Sequence, residues 1–246
     1  MKITIITVVY NGEKFISDCI RSVREQVYPD IEHIILDGES SDSTCNIVKQ
    51  NIDPQTVFIS APDKGMYDAI NKGIALAAGQ VIGLLHADDV LAGPYVISAI
   101  MAKFTETNAD AVYGDLNYVS PDKRTIVREW VSRQFKRRDL ELGWMPAHPT
   151  LYVQKSIYVK YGQYSLEYGS AADYEMMLRL LYRFNINAIY LPMLFVNMRV
   201  GGMSNENLNS RIKAFGADHL AARAHKLPLP LFSVVLKKLR KLNQYF

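Results

Sequence analysis

The chain has 246 residues, 49% of them apolar, and carries 28 Lys and Arg against 25 Asp and Glu for a net charge of +3. That balance is ordinary for a globular protein with a sizeable core, and it excludes a low-complexity or strongly charged disordered chain. Cys19 and Cys45 are the only cysteines. They have no CxxC spacing, so neither a disulfide framework nor a zinc site is expected, and the setting reads as reduced and cytoplasmic.

The opening Met1–Tyr10 run is short, contains two threonines and lacks a small-residue cleavage site behind it. It reads as a strand over about 2–9 rather than a signal peptide. No apolar run approaches the ~20 residues that a spanning helix needs. Phe15, Ile16, Cys19, Ile20, Val23 and Val27 recur at helical spacing and predict a helix over about 13–26. A strand follows at Glu32–Asp37, then Gly38-Glu39-Ser40-Ser41-Asp42 as turn and cap chemistry opening a helix through about Gln50. Thr56–Ile59 is a third strand. Ala61–Gly65 is a loop, Tyr67–Ala77 a helix ended by Gly79, and Val81–Leu85 a fourth strand. This alternation implies a parallel sheet with right-handed crossovers. Val9-Tyr10-Asn11-Gly12-Glu13 stands where a dinucleotide fold would carry GxGxxG, and no GxxxxGK[ST] occurs, which argues against a nicotinamide-type Rossmann domain and a P-loop NTPase.

The second half is less regular. Ala111–Gly114 reads as a strand, with Asn117–Val119 and Thr125–Val131 as further pieces. Met145–Thr150 is a proline-flanked loop, Ala171–Leu181 a helix and Asn187–Leu191 a strand. Arg199-Val200-Gly201-Gly202-Met203-Ser204-Asn205 reads as a flexible Gly-rich segment. Residues 205–246 hold eight Lys and Arg against Glu206 and Asp218, a basic extension on a mildly acidic body.

Val81–Leu85 runs straight into His86-Ala87-Asp88-Asp89. Adjacent acids at the carboxyl end of a buried parallel strand suit a divalent cation completed by substrate phosphates. They equally suit a helix cap before Val90-Leu91. Asp37 and Asp63 fall at or just after the ends of neighbouring predicted strands, so the sheet gathers all four acids along one edge. Such clustering is costly without a cation or a donor-bearing ligand.

In this order and spacing the motifs resemble the family 2 inverting glycosyltransferases of GT-A fold, in particular the bacterial enzymes of capsule, exopolysaccharide and O-antigen assembly. The landmarks are Thr7–Glu13, Asp37–Thr44, Asp63-Lys64-Gly65, Asn71-Lys72-Gly73, His86–Asp89, Ala172–Glu175 and Gly201–Ser204. The resemblance implies an α/β Rossmann-like domain over 1–204 with a mixed central sheet. Its nucleotide-sugar half would be 1–112 and its acceptor half 113–204, with a basic helical extension over 205–246. It places Val8, Val9, Tyr10, Asn11, Glu13, Asp37, Gly38, Asp63, Lys64, Gly65, Asp68, Asn71, Asp88, Arg199 and Ser204 on a nucleotide-sugar donor, a UDP-sugar by family habit. Asp37 and Asp63 would serve the base and Asp88 the ribose. Asp89, with Asp88, would hold Mg²⁺ or Mn²⁺, His148 being a third candidate ligand. Asp173 would be the general base, with Glu175 as second choice, and Arg199 would close over the diphosphate. The acceptor would be a glycan or lipid-linked oligosaccharide hydroxyl. His86 departs from the family, many members of which carry an acid there.

The rival enzyme reading is a sugar-nucleotidyltransferase, which would need a Gly-rich basic loop after the first strand. The non-enzyme rival is a nucleotide-binding scaffold. The basic extension reads either as a solvated helix packed on the body or as a peripheral contact with an anionic membrane surface. Nucleic-acid binding lacks an interleaved aromatic pattern.

Overall fold

The computed structural model describes residues 1–201 and 208–242. Strands β1 (Ile3–Val9), β2 (Ile31–Asp37), β3 (Val57–Ser60) and β4 (Val81–Leu84) alternate with helices α1 (Ile16–Arg24), α2 (Thr44–Asn51) and α3 (Met66–Leu76). β1 pairs in parallel with both β2 and β4, and β2 with β3, so the first half builds a parallel sheet as its alternation requires. The order β3-β2-β1-β4 then continues through β8 (Tyr152–Gln154), β6 (Ala111–Val119), β9 (Ala188–Arg199) and β5 (Val90–Leu91), with β7 (Ile126–Trp130) also on β6. β8 runs antiparallel to β4 and β6 while β9 is parallel to β6, so the sheet is mixed.

Successive side chains of a strand face opposite ways, and the two faces fill different cores. Ile6, Ile34 and Ile82 pack with Ile70 and Ile74 of α3. Ile5, Ile35 and Val81 pack with Ile16 and Ile20 of α1 and with Ile97, Ile100 and Phe104 of α4 (Val96–Thr107). Gly83 lies inside β4 because a side chain there would start 2.1 Å from the Tyr152 ring. The remaining helices are α5 (Arg137–Glu141), α6 (Lys155–Tyr161), α7 (Ala172–Met177, continued by a π-turn through Arg183), α8 (Leu208–Ala224) and α9 (Pro230–Leu242).

Three expectations change. The two pieces 111–114 and 117–119 are one strand, β6. Val90-Leu91 is not a helix start but a strand pairing antiparallel with Val196 and Asn197, and α4 begins only at Val96, so the cap reading of Asp88-Asp89 fails. The strand near 188 runs on to Arg199, past a register shift against Tyr113–Asp115 that accommodates Pro192. Proline is tolerated in a sheet at such irregularities. Pairing with β6, not local alternation, makes that strand twelve residues long.

Candidate active site at the carboxyl edge

The β1 and β2 ends meet in register, Val9 against Asp37. The two loops that follow are stitched together. The Asn11 amide donates to Ser40 Oγ, the Ser41 amide to Asn11 Oδ1, the Gly12 amide to Thr44 Oγ1, and the Ser43 amide to Glu13 Oε2. Asn11 and Glu13 therefore brace the loops rather than present free groups to a ligand. Asp37 is 2% exposed and accepts from Ser40, Ser60 and Cys45. Burial works to raise its carboxyl, but the hydrogen bonds from Ser40 and Ser60 outweigh that and hold it below the ordinary carboxylate range.

What this bracing presents is a shallow platform. Tyr10 is exposed at the end of β1. A side chain at Gly38 would meet Asp63 Oδ2 at 2.7 Å and the Tyr10 ring at 3.6 Å, so the glycine lets ring, backbone and carboxylate converge. Asp63 turns the chain by accepting from the Gly65 amide at 2.7 Å, and Gly65 adopts a positive φ of 103° before α3, a conformation that favours glycine. Val9 is buried and Val8 is partly buried against the α3-side core, so both act through backbone or as packing. Asp68 accepts from the Lys64 amide and pairs with Lys72, while Asn71 grips both backbone groups of Tyr164 at 2.8 and 3.0 Å. Asp68 and Asn71, expected on the donor, are committed to holding the structure.

Beyond β4 the acids part company. Asp88 is half-buried, whereas Asp89 is wholly enclosed, with Oδ1 accepting from the Arg199 amide at 3.2 Å and Oδ2 without a hydrogen-bond partner. Burial, and then the Asp88 charge, push the Asp89 carboxyl well above its usual range against the pull of that amide. Asp88 is thus the more accessible of the two. No trio of His, Cys, Asp or Glu converges as a metal cage among the described residues. A half-buried acid backed by an enclosed carboxylate oxygen still fits Mg²⁺ or Mn²⁺, which takes one or two carboxylates and completes its shell with phosphate oxygens and water.

Arg199 is not on a mobile segment. It ends β9 at 3% exposure, and its guanidinium donates to the Asp88 carbonyl at 2.7 Å, to the Pro121 carbonyl at 2.9 Å and to the Asp18 carboxylate. It fixes the Asp88 turn from behind, each of its three nitrogens engaged by protein oxygens. Ser204 and its neighbours 202–207 lie outside the described residues.

Asp173 opens α7, accepting from the Tyr174 amide at 2.7 Å. His86 feels the charges of both Asp88 and Asp173, and His148 feels Asp173, which draws the strand end, the 148 loop and α7 into one site. Burial lowers both imidazoles, His148 to about 4, so they are neutral near pH 7. His148 Nε2 lies 2.7 Å from the Tyr164 hydroxyl, which leaves that nitrogen engaged and removes it as a metal ligand as the site stands. Glu175 is enclosed between His225 at 2.8 Å and Arg179 at 3.2 Å, unsuited to serve as base.

The sequence reading missed Tyr67 and Tyr164. Their rings stack at 5.5 Å, and Tyr67, whose hydroxyl burial raises far above its ordinary range, lies within reach of the Asp173 charge. Tyr67 was discoverable, as it follows Asp63-Lys64-Gly65 in the first turn of α3. Tyr164 had no local signal.

A mixed sheet with helices on both faces and acids gathered along its carboxyl edge is the architecture of the GT-A fold. Solved structures agree on the architecture. S. aureus TarS 1–349 in complex with UDP-GlcNAc superposes with a TM-score of 0.64 at 14% identity, over 100% of this chain and 93% of that one. Mannosyltransferase PcManGT from Pyrobaculum calidifontis, in complex with GDP-Man and Mn²⁺, gives 0.63 at 15% identity over 96% and 68%. The PGL/p-HBAD biosynthesis glycosyltransferase of Mycobacterium bovis is 27% identical over 207 residues, 82% of this chain and 78% of that protein. The sequence model of glycosyl transferase family 2 matches residues 4–155, more than half of the chain, and the chain belongs to that family. It is a glycosyltransferase.

Proposed function

We propose that the chain transfers a sugar, with inversion, from a nucleotide-sugar donor to a hydroxyl of a glycan or lipid-linked oligosaccharide in cell-surface polysaccharide or glycolipid synthesis. The observation that carries this reading is that Asp88, just beyond β4, and Asp173, at the start of α7, gather about the His86 and His148 rings, which lie 6.4 Å apart. One acid thus lies on the edge expected to hold a donor and the other beside it, on a separate element, where an acceptor would approach.

In this reading the base stacks on Tyr10, the sort of contact worth ~1–3 kcal/mol per base. Gly38 lets the donor approach the backbone, and Asp63 supplies a hydrogen-bond acceptor. Asp37 braces that pocket from below. Asp88, backed by Asp89, holds the cation and the ribose–diphosphate side. A bound Mg²⁺ or Mn²⁺ neutralises the charge that gathers on the nucleoside diphosphate as it leaves. Asp173 takes the acceptor's hydroxyl proton as that oxygen attacks the anomeric carbon from the face opposite the leaving group, which inverts configuration. Tyr67 approaches Asp173 from the donor-side helix, and burial keeps His86 and His148 beside it neutral near pH 7.

The solved relatives carry UDP-GlcNAc in one case and GDP-Man with Mn²⁺ in the other. A panel of UDP-, GDP- and dTDP-sugars, each with and without Mn²⁺, tests the donor by thermal unfolding. The matching donor is expected to stabilise by about 3 kcal/mol at a hundredfold excess over Kd, and only with metal. The anomeric configuration of the product, read by NMR, tests inversion. Failure of every sugar nucleotide to stabilise the protein would overturn the proposal.

A further inference from the structure

Helices α8 and α9 form a hairpin on the body that the transfer reaction does not use. One side of α9 is anchored: Ser233 and Val234 are fully buried, Ser233 Oγ donates to the Glu141 carbonyl, Arg240 Nε donates to the Leu142 carbonyl, and Lys237 pairs with Asp218 at 2.8 Å. With that side turned inward, the helical period turns Leu231, Phe232, Val235 and Leu239 outward together. Their exposures are 54, 49, 40 and 50%. Lys238, exposed, borders this stripe on one flank and Arg240 on the other. Leu229, 63% exposed, extends the stripe toward α8, where it joins His219, Arg223, Pro230, Leu231 and Phe232 around an open hollow of about 520 Å³.

We infer that this face is a docking surface for an anionic lipid bilayer. An apolar stripe flanked by cations and free of exposed acids is the pattern of a helix lying in a membrane interface. Over residues 212–240 the side chains include Lys213, Arg223, Lys226, Lys237, Lys238 and Arg240, and the single acid, Asp218, is already paired with Lys237. That same charge opposes a second copy as occupant, because two such faces would bring like charges together. Among the described residues no helix is long and apolar enough to cross a membrane, so the contact is interfacial. The hairpin also touches the helix that carries Asp173: His225 meets Glu175 at 2.8 Å, and Lys237 Nζ sits 3.6 Å from the centre of the Tyr174 ring. Docking there would hold the transferase at the surface where lipid-linked molecules reside, though the inference does not depend on the acceptor.

Sedimentation of the full chain with vesicles tests it, using phosphatidylcholine alone and phosphatidylcholine with about one-third phosphatidylglycerol. Binding is expected to the anionic vesicles only, and to fall steeply as salt is raised. Replacing Leu231, Phe232 and Leu239 together by Ser should weaken binding by at least about tenfold. Lys238→Glu should weaken it about fivefold or more. Both variants should keep the wild-type unfolding temperature, which separates lost docking from lost folding. The inference is overturned if the anionic vesicles do not bind, or if the variants bind as the wild type does. Light scattering that shows a dimer which the triple Ser variant abolishes would also overturn it, making a second copy the occupant.

Discussion

Asp37 and Asp173 are mounted in different ways. Around Asp37 the supports come from the first quarter of the chain, through Ser40 in the following loop, Cys45 in the first turn of α2 and Ser60 at the end of the paired strand β3, and hydrogen bonds between the β1 and β2 loops close the pocket. Around Asp173 they come from the whole chain. Tyr67 arrives from α3, His148 from a loop before β8, and Tyr164 from beyond α6, where Asn71 holds it across 93 positions. Arg199 reaches back 111 positions to the Asp88 carbonyl. A locally braced pocket can persist when distant parts of the molecule loosen, while a shelf assembled from four segments depends on all of them. Donor binding should therefore survive changes that abolish transfer.

The sharpest separation is expected from Asp173→Asn. It removes the proposed base and should lower the transfer rate by about 10²–10⁴-fold, with donor affinity by calorimetry unchanged. An unchanged transfer rate would remove Asp173 from the mechanism.

Acid should strain both regions alike. His33, beneath the Asp37 loop and 3.0 Å from Thr7 Oγ1, and His148, on the Asp173 side, are each lowered by burial to about 4. The unfolded chain binds their protons from about pH 6.5, so it is favoured as pH falls from there to 4. The stabilisation is complete above that window, and each group stands to lose roughly 3 kcal/mol across it. Chemical denaturation from pH 7.5 to 4.5 checks this. His33→Gln and His148→Gln should each flatten the profile, and an unaltered slope in both would contradict it.

Arg199→Met tests the link between the regions. It leaves the Asp88 and Pro121 carbonyls without their donor and takes one of three cationic partners from Asp18, which keeps Arg21 and Lys123, at a cost of about 3 kcal/mol in stability. By loosening the Asp88 turn it should weaken Mn²⁺-dependent donor stabilisation while sparing any metal-independent nucleotide affinity. Equal loss with and without metal would place Arg199 on the nucleotide after all.

The smallest effect belongs to Tyr67→Phe, which keeps the stacked ring and deletes one hydroxyl. About tenfold in kcat is expected, with KM for donor little changed. A rise in KM alone would make Tyr67 a donor contact.

The first half of the fold was legible because its elements declare themselves locally. Ile16, Cys19, Ile20 and Val23 repeat at helical spacing and are buried as that predicts. β4 is an unbroken buried run, read as Val81–Leu85 and found as Val81–Leu84, followed by the segment that carries the acids. Individual residue roles were less legible. Asn11, Glu13, Asp68 and Asn71 have the side chains of ligand contacts, yet each is engaged by backbone amides. The motif records that such a residue is needed but not which way it faces.

By itself the sequence determined the alternating α/β half, the gathering of Asp37, Asp63 and Asp88-Asp89 at strand ends, and the family. All of these rest on periodicity and on the order of short motifs. Only the tertiary structure decided that Asp89 is enclosed while Asp88 is accessible, that Arg199 is a brace, that Tyr67 meets Asp173, and which side of α9 is left open. Each depends on contacts between segments distant in the chain, where burial and partner geometry, rather than residue type, set what a side chain can do.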